Sequence, residues 1–231
     1  MKTKRLITVC VFTLFVALGV ATYALRKREP IYQGKTLSEW LVEASTGTWP
    51  RQGSVPADEA IRQIGTNAFP MISQLLRFRD SALKLKLIRV FYKQSFLQIH
   101  ITTQYDRQMQ AIAACYALGT VAKPLVPEVA KALKHLDVQP FAEQWFKELG
   151  PDAEAAIPVM VEILRDQKNS ARFIAAQSLA HIAIHRPEEV LPVLNECLHD
   201  TNNLVRFQAG LALKILGHEA DTEAMVKPGV Q

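Results

Sequence analysis

After residue 53 the apolar and polar positions fall into a repeated line. The stretches SVPADEAIRQIG (54–65), QMQAIAACYALG (108–119), QPFAEQWFKELG (139–150), RFIAAQSLAHIA (172–183) and RFQAGLALKILG (206–217) share one register. Their fourth residue is always alanine: Ala57, Ala111, Ala142, Ala175 and Ala209. Their eighth is Ile61, Cys115, Phe146, Leu179 and Leu213, and their eleventh Ile64, Leu118, Leu149, Ile182 and Leu216. Positions four, eight and eleven lie on one face of a helix. The twelfth is Gly65, Gly119, Gly150, Ala183 and Gly217, and glycine suits a helix C-terminus. Five helices are predicted, each with an alanine where a neighbour must approach closely.

A second helix follows most of them: VPEVAKAL (126–133), IPVMVEIL (157–164) and LPVLNECL (191–198), with a looser AFPMISQLL at 68–76. Pro127, Pro158 and Pro192 fall in the first turn, where a missing N–H costs little. The closing positions step by 54, 31, 33 and 34 residues. A period in the low thirties with two helices per unit predicts an α-solenoid, because one helical pair cannot bury its apolar stripe alone. The expected fold class is all-α, with repeats over 54–231 in about five units. The oversized first step holds an irregular insert near 81–103. Its apolar content predicts an extra helix.

The N-terminal pattern is different. Leu6 to Leu25 carries no charge over twenty residues, enough for a helix of roughly 30 Å, the thickness of a bilayer core. Residues 1–30 are therefore expected to be a single-pass membrane anchor. A cleaved signal peptide, leaving a secreted protein, is the alternative, although its apolar region is normally shorter. The flanking basic residues lean slightly towards an N-terminus inside, which places the repeat domain outside the cytoplasm. Residues 31–53 read as a juxtamembrane helix and loop. Thr36 and Glu39 fit a capping box opening a helix at Leu37 that runs to Ala44, and no stretch shows sustained strand alternation.

Charge then removes one class of function. The net +5 comes from residues 1–30, which hold six of the 27 basic and one of the 22 acidic residues, leaving 21 of each in the body. A neutral body has no general pull on a phosphate backbone, so no nucleic-acid partner is expected.

At Asp166 and Asp200 a further regularity appears: an arginine follows each by six residues, Arg172 and Arg206, after Ala171 and Val205. With the helical pairs, this resembles HEAT repeats, in the short bacterial form often labelled phycobilisome-lyase-type HEAT-like. The leader EPIYQGKTLSEWL resembles the opening of membrane-tethered or exported bacterial HEAT-repeat proteins. The resemblance covers about residues 54–217. It implies a structural ladder of Asp166, Arg172, Asp200 and Arg206 between neighbouring units. Gln108 and Gln139 stand where arginine is expected, so the ladder should be partial. The resemblance also implies that the second helices line a concave face. The residue four after each proline, Lys131, Glu162 and Glu196, should then point away from the core. Lys134, Arg165 and His199, seven after each proline, could line the same groove. They also suit the last turn of a helix by the dipole alone.

Candidate chemistry is sparse. No phosphate loop, dinucleotide fingerprint or nucleophile elbow occurs. His181 and His185 in HIAIH stand at i and i+4, but Ile182 replaces the glutamate of a zinc peptidase, and two ligands fall short of a normal site. Cys115 and Cys197 sit in apolar helical patterns, Trp40 and Trp145 suit packing, and Glu188 and Glu189 suit a helix start. The expectation is a membrane-tethered scaffold for another protein, with no catalysis, cofactor or metal. A bilin-lyase-like enzyme and a self-associating architectural envelope protein are the alternatives.

Overall fold

The computed structural model describes residues 29–46, 56–93, 102–135 and 137–218, together with Thr13 and Val16, which are both helical. Apart from those two residues, the anchor segment 6–25 lies outside the described residues, as do residues 94–101 of the insert.

The described chain is mostly helical, with one departure from the all-α expectation. Residues Ile31–Tyr32 (β1) and Lys35–Thr36 (β2) pair as a small antiparallel hairpin. Its turn residues Gln33 and Gly34 both take positive φ, 48° and 79°, the combination that lets a two-residue turn follow the strand twist. Two-residue strands are too short to show an alternation, so the pattern along the chain could not announce them. Helix α1 (Leu37–Ser45) follows at once. Its capping box is complete, with Thr36 N donating to Glu39 Oε2 at 2.7 Å and Glu39 N to Thr36 Oγ1 at 3.4 Å. Trp40 Nε1 donates to the Tyr32 carbonyl at 3.0 Å, tying the hairpin to α1.

The remaining helices are α2 (Pro56–Ile64), α3 (Phe69–Arg77), α4 (Ala82–Lys93), α5 (Gln104–Leu118), α6 (Val126–Ala132), α7 (Gln139–Leu149), α8 (Ile157–Arg165), α9 (Arg172–Ile182), α10 (Leu191–Cys197) and α11 (Asn203–Ile215). They form two rows. In the first, α2 packs on α5, α5 on α7, α7 on α9 and α9 on α11; in the second, α3 packs on α6, α6 on α8 and α8 on α10. The rows lock together where α3 meets α5, α8 meets α9 and α10 meets α11. Helix α1 covers one end, burying Leu37, Trp40, Leu41 and Ala44 against α2 and α5.

The repeated columns explain this packing. All five column alanines are fully buried, as are Ile61, Cys115, Phe146, Leu179 and Leu213 one turn on. Ile64, Leu118 and Ile182 are buried as well, while Leu149 and Leu216 pack half-buried against the core. An alanine lets two backbones approach where a larger side chain would hold them apart. The closing glycines do a separate job. Gly65, Gly119 and Gly150 have φ of 61°, 55° and 53°; Gly119 and Gly150 pair this with ψ near −130°, a region L side chains avoid. There the helix turns directly into a 3₁₀ segment that feeds the next helix at Val126 or Ile157. Ala183 closes its helix at φ −97° and needs no glycine.

Among the described residues one run, Gln104–His135, is long and apolar enough by length and composition to cross a membrane, and 67% of its most apolar window is buried within the protein. Gly119 breaks it into α5 and α6, and each half packs on neighbours in its own row. The run is accounted for as the core of the stack.

The insert contributes the extra helix expected of it, α4. Its root is fastened by Asp80, which accepts from Lys84 Nζ and, at 2.8 Å, from Gln104 N. Lys84 Nζ also donates to the Thr102 carbonyl at 2.6 Å.

Candidate interaction surface

The second row presents the sequence-nominated charges outward. On α6, Val126, Val129, Ala130, Ala132 and Leu133 are buried, which leaves Lys131 exposed. The same spacing exposes Glu162 on α8 and Glu196 on α10. One turn on, Lys134, Arg165 and His199 are exposed too. The structure therefore places all six along one row, Lys131, Glu162, Arg165 and Glu196 on its helices and Lys134 and His199 in the turns that follow α6 and α10. Lys134 Nζ lies 3.3 Å from Asp166 Oδ2.

Counting from the first-turn proline adds a residue that the sequence reading missed. Pro70 stands in the first turn of α3, and the seventh residue after it is Arg77, in the column of Lys134, Arg165 and His199. The loose copy at 68–76 hid it, although the proline was the signal to use. Arg77 reaches across to α6, with Nη2 2.6 Å and Nε 2.7 Å from Glu128 Oε1. Ser73 Oγ donates to the other carboxylate oxygen at 2.6 Å. Next to this pair lies a groove of about 330 Å³ lined by Leu76, Arg77, Arg79, Pro124, Pro127, Glu128, Lys131 and Ala132. A larger hollow of about 840 Å³ opens between α1, α3 and the start of α5, with Glu29 and Arg107 as its charged groups.

The structural ladder takes a specific form. Arg172 and Asp200 make a buried two-pronged pair, side chains 5% and 3% exposed. Arg172 Nε also donates to the Leu164 carbonyl at 3.0 Å, so one guanidinium joins the end of α8 to the turn after α10. Arg206 is buried and meets Asp200 through the backbone, donating to the carbonyls of Asp200 at 2.7 Å and Thr201 at 3.2 Å. Asp166 does not pair with Arg172. Its carboxylate accepts from Lys168 N at 3.1 Å, and Lys134 approaches the other oxygen. The Lys168 N–H, then Lys134, hold this acid below the usual carboxylate range.

Gln139 donates to the Leu133 carbonyl at 2.8 Å, the counterpart of Leu164. Gln108 is fully buried, donating to the His135 carbonyl at 3.2 Å and accepting from Asp137 N at 2.8 Å. An amide thus serves in the arginine column where the turn offers backbone groups in place of a carboxylate.

The other nominated groups sit in structural settings. Burial, with the Lys147 ammonium adding to it, lowers the His181 pKa. His185 Nδ1 lies 3.6 Å from Glu154 Oε1. Among the described residues no three His, Cys, Asp or Glu side chains cluster as a metal site. Cys115 and Cys197 are buried, and burial pushes both thiols up, with Glu128 adding to the rise at Cys115 and Arg172 opposing it at Cys197. Trp40 and Trp145 are core residues, 4% and 1% exposed. Glu188 and Glu189 lie in a 3₁₀ turn before α10, where Glu189 pairs with Arg186.

No curated protein and no solved structure matches the chain. A family model of HEAT repeats matches residues 157–227, a span that opens at α8 and includes both ladder arginines, and the match supports a HEAT-repeat protein.

Proposed function

We propose that this protein is a membrane-tethered α-solenoid that works as a binding scaffold for another protein and not as a catalyst. The anchor is the uncharged run 6–25, and the repeat domain lies outside the cytoplasm. The observation that carries the reading is the second row of helices. Each of α6, α8 and α10 buries one face and turns a charged residue outward, Lys131, Glu162 or Glu196, with Lys134, Arg165 and His199 exposed one turn on. Such a periodic charged surface on a rigid stack suits recognition, because charges at a rim tune association and specificity more than fold. The two buried thiols favour this reading over a cysteine-dependent activity, since a thiolate is the reactive form and burial suppresses it.

The test is crosslinking and pull-down from native membranes with the full anchored chain as bait. A variant carrying Lys131→Glu, Glu162→Lys and Glu196→Lys should melt like the parent, since exposed substitutions usually change stability by less than about 0.5 kcal/mol. It should capture the partner less well. Normal folding with full capture would remove this row as the binding surface. A reporter active only outside the cytoplasm, fused after Gln231, tests orientation, and a mature N-terminus near Leu25 would replace the anchor by a cleaved signal.

A further inference from the structure

The charges of the second row are unevenly placed. Around the α3–α6 groove stand three cations, Arg77, Arg79 and Lys131, against one carboxylate, Glu128. Along α8 and α10 the same outward positions hold Glu162 with Arg165, then Glu196 with His199, and carry no basic excess. The basic excess is therefore local to the first pair of units, in a body that is neutral as a whole.

Each cation is held differently. Arg77 is engaged by Glu128, which Ser73 holds from its other oxygen. Arg79 is fixed at the mouth of the groove, with Nη1 donating to the carbonyls of Leu76 at 3.0 Å and Phe78 at 2.8 Å. Lys131 is exposed on the opposite wall. Between them the lining is apolar and free of flexible side chains, since Leu76, Pro124, Pro127 and Ala132 form it. A helix with its side chains is about 10–12 Å across and rises about 5.4 Å per turn, so even one turn exceeds the roughly 330 Å³ of the groove, which suits an extended chain.

We propose that the α3–α6 groove docks an acidic, extended segment of a partner protein, with its Asp or Glu side chains reaching Lys131 and Arg79 and its backbone and aliphatic atoms covering Pro124 and Pro127. The occupant's class follows from charge complementarity. Glu128 neutralises Arg77, so the uncompensated pair is Lys131 and Arg79, on opposite walls. An anion with one carboxylate meets one of them, and a segment with several meets both. Long-range attraction between such a rim and an acidic segment raises the association rate and is screened by salt.

The inference rests on the scaffold reading for its natural occupant, but its test does not. The full chain in neutral detergent is titrated with fluorescein-labelled hexaglutamate, with hexaglutamine and hexalysine as controls. Saturable binding of hexaglutamate alone, weakened by added salt, is expected. Lys131→Glu should weaken it about tenfold without moving the melting curve, since a rim charge acts on association and not on fold. Lys214→Glu should leave it unchanged, because that exposed lysine lies on α11 in the first row and does not line the groove. No saturable binding, or binding that ignores Lys131→Glu, would overturn the proposal. So would capture of vesicles rich in anionic phosphatidylglycerol through Lys131 when hexaglutamate does not bind. If hexaglutamate binds as expected but native membranes yield no partner, the groove stands and the scaffold reading falls. The reverse result sinks the groove alone.

Discussion

At residue 172 the chain places an arginine, and one unit earlier, at residue 139, a glutamine. Both open a first-row helix, and both donate to the carbonyl that ends the preceding second-row helix, Leu164 or Leu133. There the likeness stops. The arginine is long enough to hold that carbonyl and still grip Asp200 with both terminal nitrogens in the interior. The glutamine makes the first contact, and the carboxylate next along, Asp166, sits half-exposed beside Lys134. One junction is thus closed by a buried, fully engaged ion pair, the other by an amide and a surface pair. A buried pair and an exposed pair of the same residue classes differ in what their loss does. Removing one partner inside leaves a bare charge in a poorly solvated place, whereas removing one outside leaves a charge in water.

The largest effect should follow from Arg172→Met. Asp200, 7% exposed, would be left without its partner, and breaking a buried pair in this way typically costs about 3–5 kcal/mol. Urea unfolding followed by circular dichroism measures it. Adding Asp200→Leu should restore much of the loss, because replacing a buried pair by apolar residues is often neutral. If the single variant unfolds at the parent's midpoint, the junction is not closed by this pair.

Packing on the same interface gives the next size of effect. Ala175 is fully buried on α9, and Ala175→Leu should cost about 1–3 kcal/mol by overpacking. Gly150→Ala acts without any clash, since the nearest atom to an added Cβ is the His181 carbonyl oxygen at 4.0 Å. Its cost, about 1–3 kcal/mol, would come from the backbone alone at φ 53°. Ala183, in the same column at φ −97°, is the control, and Ala183→Gly should show no gain from relieved strain.

These residues mark what the sequence made legible. Periodicity reports which side of a helix is buried, so the alanine column, the closing glycines and the outward row could be read from it. It does not report which helix lies opposite. Asp200 and Arg172 could be nominated as ladder residues, but that the arginine reaches forward to Asp200 while Asp166 turns to Lys134 depends on tertiary placement. Arg77 was readable by counting from Pro70, but the irregular copy obscured the register. The Ile31–Thr36 hairpin left no trace because two-residue strands carry no period. The α3–α6 groove left none either, since its walls come from segments about fifty residues apart.

Glu143 offers a pH-dependent way to probe the α7–α9 side of the comparison. It is 8% exposed, and its Oε1 has no hydrogen-bond partner among the described atoms. Burial raises its pKa, against a smaller opposing pull from Lys147. Its folded value therefore lies above the unfolded value of about 4.3. In the window between the two, the native state holds a proton that the unfolded state has released, so stability falls as pH rises through it. The melting temperature should drop as the pH rises above the unfolded value and through the raised folded one, and Glu143→Gln should shrink that drop. An equal drop in both proteins would show that Glu143 ionises freely in the fold.

The smallest effects belong to the surface pair, and they decide whether the two junctions differ by residue length or by surroundings. Lys134→Ala should leave the unfolding midpoint unmoved at physiological salt, because an exposed pair is screened and its long side chain must be ordered to form it. Gln139→Arg is the sharper change. It supplies at the weaker junction the guanidinium that the stronger one has, where residue 139 already meets the Leu133 carbonyl and Asp166 stands in the sequence column of Asp200. If length is what Gln139 lacks, the variant should unfold at a higher urea concentration, and Asp166→Asn should cancel the gain in a double-mutant cycle. If surroundings decide instead, the new arginine will stay in solvent and the midpoint will not rise. The closed junction then depends on the interior around Asp200, which one substitution at residue 139 cannot supply.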